Sequence, residues 1–147
     1  MSIIVFIRDS QYGMPIAQSV HLVGLTMLLA TVLILNLRLA NMALKESSLH
    51  WLAQQLRPWM LGGLAVVLLS GALIFIGTPE KYLASNPFRV KMATLFLAML
   101  FQYGALRRFA APDSAPRSRA ISLIVAAVSL TLWFTVGWAG RAIAFIP

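Results

Sequence analysis

The chain has 147 residues, 60% of them hydrophobic and only 11% charged, where a soluble domain carries about 25% charged residues. Lipid is therefore the expected solvent, and the net charge of +8 is expected in basic loops between apolar runs; nucleic acid is not an expected partner. With no cysteine, disulfides, thiolate catalysis and cysteine metal sites are excluded, and two histidines remain as nitrogen ligands.

Residues 2–7 (SIIVFI) are too few to span a bilayer and lead into Arg8, Asp9, Ser10 and Gln11, a pattern expected of a short interfacial helix. No cleavage-site pattern follows, so the N-terminus is expected to be retained. Gly13 and Pro15 then restart the chain, and residues 15–37 hold no permanent charge. That length at 1.5 Å per residue covers the roughly 30 Å hydrocarbon core of a bilayer. His21 lies roughly 9 Å inside this first span.

Residues 40–57 read as a partly helical interfacial connection containing His50, after which Pro58 is expected to open a second span, 58–77. Gly62, Gly63, Ser70 and Gly71 in it read as small packing residues, since a phosphate loop would need a preceding strand. Asn86 is expected to cap a third span, 88–106, with Pro87 in its first turn and Lys91 inside it. A fourth span, 120–140, ends at Arg141. The expected fold is all-α, an integral membrane antiparallel four-helix bundle forming one domain, 1–147, with lipid and further copies or a larger complex as partners.

The loops after spans one and three hold Arg38, Lys45, Arg57, Arg107, Arg108, Arg117 and Arg119, against Arg8, Lys81, Arg89, Lys91 and Arg141 on the other side. The bias places both termini outside the cytoplasm. That outer side collects Gln18, His21, Lys91 and Arg141 as candidate ligand or cofactor contacts, with Arg8, Asp9 and Arg89 as further polar candidates. Ionisable groups within a span are costly and are functional candidates by default; the plainer reading is that His21 bonds a neighbouring helix, Lys91 snorkels and Arg141 anchors a helix end. His50 falls on the opposite side and cannot join His21 on one haem. No metal cluster and no serine–histidine–acid set is present, so catalysis is not the favoured reading.

The segments IRDSQYGMPIAQSVHLVGLTMLLATVLILNLRL, SNPFRVKMATLFLAML and SLTLWFTVGWAGRAIAF together resemble an uncharacterised bacterial four-helix membrane family of unknown function. The resemblance places Arg8, Asp9, His21, Gly24, Arg38, Lys91, Gly140 and Arg141 on family positions. Gln18 and Asn36 stand where acids are common, and a histidine near the end of helix three is missing. More distantly, the chain is similar to membrane proteins of the haem-containing protoporphyrinogen oxidase and copper-resistance types, a similarity that implies a site location, at His21 and Lys91 as the corresponding pair. The expected function is a non-catalytic membrane subunit or small-molecule-binding bundle in a bacterial inner membrane. The alternatives are a redox protein linked to haem b or quinone, and an oligomeric transporter of a small anion.

Overall fold

The computed structural model describes residues 2–113 and 115–146, so residues 1, 114 and 147 of the expected single domain lie outside the described residues. It is helical, with no strand among the described residues. Helices α1 (Ile3–Asp9), α2 (Gly13–Leu39), α3 (Leu49–Gly77), α4 (Pro79–Ala84) and α5 (Asn86–Phe101) are followed by a π-helical segment, Gln102–Leu106, a short α6 (Arg107–Phe109) and α7 (Arg119–Ala142). Three of these, α2, α3 and α7, are long and apolar enough to cross a membrane. Their outward residues agree with that, since Val23, Leu69, Ile124 and Phe134 are all well exposed.

Serine side chains cap the N-termini of α1, α3, α5 and α7, and two of these caps account for departures from the expected elements. Ser48 accepts a hydrogen bond from Trp51 N, so α3 starts there and Pro58 sits inside the helix instead of opening it. Pro58 cannot donate to the preceding turn, a defect of about 3 kcal/mol that the packing of so long a helix offsets. Likewise Ser85, not Asn86, caps α5 by accepting from Phe88 N, with Pro87 in the first turn. Helix α5 itself has 16 residues, and its α-helical hydrogen bonding gives way to the π segment before the expected end of the third span.

Helices α2 and α3 are antiparallel in a close register. Met14 meets Gly77, His21 meets Ser70, Gly24 meets Val66 and Val67, and Leu28 meets Gly63, in reversed order along the two chains. A methyl group on Gly24 would lie 2.6 Å from Val66 Cγ1, and one on Gly63 2.8 Å from the Leu28 nitrogen. Only glycine permits this approach, and in lipid, where apolar burial between helices drives little, such contact area supplies the attraction. Gly62 does not share this role, because a methyl group there would meet only the end of Met27 at 3.5 Å.

Helix α5 packs on α7 and α2 packs on α7, whereas the backbones of α3 and α5 do not approach each other. Leu28, Val32, Met60, Leu64, Leu95, Ala98, Trp133 and Val136 fill the centre between the four long segments. The N-terminal segment does more than rest on a surface. Helix α1 packs on α2 and α3, and its Ile7 is buried against Gly77.

Candidate functional site

A cavity of about 680 Å³ lies at the end of the molecule nearest the chain termini, with walls from α2, α3, α4, α5 and α7. That volume falls in the usual range for a small-molecule site, roughly 300–1,000 Å³. Four of the residues singled out from sequence line it: Gln18, His21, Lys91 and Arg141. Arg8, Asp9 and Arg89 do not. Arg8 and Asp9 are exposed and pair with each other at 3.8 Å, a contact that contributes little in water, and Arg89 donates to the Leu83 carbonyl at 3.3 Å.

His21 is half-buried, and its Nδ1 lies 2.9 Å from Ser70 Oγ. The Ser70 hydroxyl has one proton, which it donates to the Val66 carbonyl one turn earlier on α3. His21 Nδ1–H therefore donates to Ser70, and in the neutral ring the free lone pair is on Nε2. Gly71 packs closely beside it, and a methyl group there would lie 3.3 Å from His21 Cε1, so the ring would have to give by a few tenths of an ångström.

Lys91 lies across the backbone of α7 at Gly140, where an added methyl group would meet its Nζ at 3.5 Å. Arg141 follows on α7 and stacks on Phe145, 4.5 Å from the ring centroid. Sequence reasoning missed Lys81 and Tyr82, which reach the cavity from α4, and Trp133, which lines it from the buried centre. The Phe75, Tyr82 and Phe88 rings pack together at that end, with Phe75 stacked on Phe88 at 5.6 Å. Burial there raises the Tyr82 phenol above its ordinary pKa, against a smaller opposing effect of a hydrogen bond with Thr78, so it stays a neutral donor. An α4 turn after a Gly-Thr-Pro break is the one signal by which Lys81 and Tyr82 were findable.

His50 is separated from this site by about 30 Å along α3 and hydrogen-bonds the Ala110 carbonyl at 2.8 Å through Nδ1, which ties the start of α3 to the chain after α6. Among the described residues no group of three or more histidine, cysteine or acidic side chains is arranged for a metal ion.

Fold and site together define a class: a small helical protein whose long apolar helices surround a ligand-sized cavity with a few polar groups. The chain belongs to a family of unknown function, DUF6644, whose model matches residues 2–146. Neither a curated protein nor a solved structure matches it.

Proposed function

We propose that this is a multi-pass protein of the bacterial inner membrane that binds a small molecule in the cavity at its terminal end, as a non-catalytic membrane subunit or homo-oligomer. In this reading α2, α3 and α7 cross the membrane, and α5, continued through the π segment to Phe109, makes the fourth crossing of one antiparallel bundle. In this reading the end opposite the termini faces the cytoplasm and both termini lie outside, which the basic residues there, among them Arg107, Arg108, Arg117 and Arg119, support.

The observation that carries the reading is the convergence of Gln18, His21, Lys91 and Arg141, from three different helices, on one cavity with otherwise largely apolar walls. Gly137 lines that cavity and has open space where a side chain would begin, so Gly137→Trp should fill it without disturbing the helices. Native mass spectrometry of protein extracted from its membrane should show a small-molecule adduct that Gly137→Trp lacks at unchanged melting temperature. No adduct in either protein would overturn the reading.

A second reading, haem or quinone binding, is favoured by His21 alone. Its Nδ1 is held by Ser70, which leaves Nε2 as the unprotonated nitrogen that a haem iron takes, and Lys81, Lys91 and Arg141 suit its carboxylates. These residues fit the group. Bound haem would supply one-electron chemistry, while the protein's residues would hold and orient it. Purified protein should then show a Soret band that shifts with dithionite and is lost in His21→Ala; a colourless protein excludes haem.

A further inference from the structure

Three cationic side chains line the cavity, Lys81, Lys91 and Arg141, and no aspartate or glutamate does. Among the described residues the one ion pair is Arg8 with Asp9, and the Lys91 ammonium has no hydrogen-bond or ion-pair partner. A half-buried ammonium without a counter-charge is matched by an anion, with which hydrogen bonds are about twice as strong as neutral ones.

The opposite wall is apolar, with Leu25, Leu28, Leu95 and Trp133 running toward the centre of the molecule. The cavity also has a side. The backbones of α3 and α5 stay apart and side chains fill between them: Phe75 stacks on Phe88 at one end, Leu64 shares the central cluster with Leu95 and Ala98, and Gln102 Nε2 of the π segment donates to Met60 Sδ at 3.5 Å at the other end. Between those bridges Leu68 and Met92 both line the cavity and face outward, exposed by 43% and 47%.

We propose that the cavity, taken as the ligand site argued above, accepts a single-chain amphiphile with an acidic headgroup, a long-chain carboxylate or alkyl phosphate, which reaches it sideways from the bilayer between α3 and α5. Lys91, with Lys81 and Arg141, holds the headgroup near the membrane surface. The chain lies along Leu25, Leu95 and Trp133.

The test is binding of tritiated palmitate to the full-length protein in a non-ionic detergent, competed with palmitate, hexadecyl phosphate and hexadecanol. Palmitate or hexadecyl phosphate should displace the label, and the better competitor identifies a carboxylate or a phosphate headgroup; hexadecanol should compete at least about tenfold less well, the scale of one charge-assisted hydrogen bond. Lys91→Gln should weaken binding about tenfold while Lys91→Arg retains it, and Leu68→Trp with Met92→Trp should slow association. Equal competition by hexadecanol, or unchanged binding in Lys91→Gln, would overturn the acidic-headgroup assignment. Palmitate binding that survives Gly137→Trp would overturn its placement. A neutral adduct in native mass spectrometry without palmitate binding would overturn this inference and leave the ligand-site reading standing.

Discussion

Two polar pairs join α2 to other helices, one to α3 and one to α7, and they differ chiefly in the space beside them. At the terminal end His21 Nδ1 donates to Ser70 across α2 and α3 at 2.9 Å, next to the cavity. Toward the hairpin end Asn36 Nδ2 donates to Ser129 Oγ on α7 at 3.0 Å and to the Val32 carbonyl at 2.8 Å, and Asn36 is fully buried. Each pair gives a buried donor a partner that lipid cannot supply, although Asn36 Oδ1 is left without one among the described residues. The second is enclosed and works as a staple between α2 and α7. The first leaves one imidazole nitrogen over at a cavity that three cations also line, and the proposed ligand site rests on that arrangement. A polar residue inside a span therefore becomes a site candidate through the room around it, more than through its own chemistry.

That contrast can be broken by mutation, and the largest effect is expected where α2 and α3 cross between the two pairs. Gly24→Val or Gly63→Leu forces the backbones apart, and each should cost about 3 kcal/mol or more, read as a fall in melting temperature in detergent together with loss of ligand adduct. Asn36→Ala comes next. It removes the staple and should cost about 1 kcal/mol of stability, measured by denaturant titration in mixed micelles, while ligand binding is retained.

The terminal pair should show the reverse. Ser70→Ala frees His21 Nδ1 and should cost well under about 1 kcal/mol while weakening binding of whatever uses Nε2, read by adduct abundance; normal binding would show that the imidazole needs no orientation. Gly140→Ala places a methyl group in ordinary contact with Lys91 and should change little, whereas Gly140→Leu should displace Lys91 and reduce palmitate binding several-fold. The smallest effect is expected for His50→Ala, which loses one bond to the Ala110 carbonyl at the far end and should leave the cavity ligand unaffected by the same mass measurement.

Much of this arrangement was legible in the residues because its physical causes are local. Runs without charge identified the apolar helices, and the polar residues interrupting them pointed to Gln18, His21, Lys91 and Arg141. Errors came where two local signals competed. Pro58 reads as a helix start, but Ser48 offers an earlier cap and the packed helix tolerates the proline. Asn86 and Ser85 are both good caps, and the serine is one residue closer to the chain's change of direction. The π segment had no visible signal: it turns Gln102 inward toward Met60 at an energetic cost that only packing offsets. Arg8, Asp9 and Arg89 stood near the site by sequence position alone, and their side chains turn to each other or to the α4 end instead.

What the sequence by itself determined is the existence of the long apolar helices, since charge-free length is a local property, whereas the helix starts at Ser48 and Ser85 and the π segment were not read from it. It also separated His21 from His50, because length along a helix is distance. What only the tertiary structure decided is which polar groups meet space. The pairing of α2 with α3 and α5 with α7, with no backbone contact between α3 and α5, leaves a cavity whose position follows from glycine contacts such as Gly24 with Val66. Such contacts join residues far apart in the chain, and no local pattern records them.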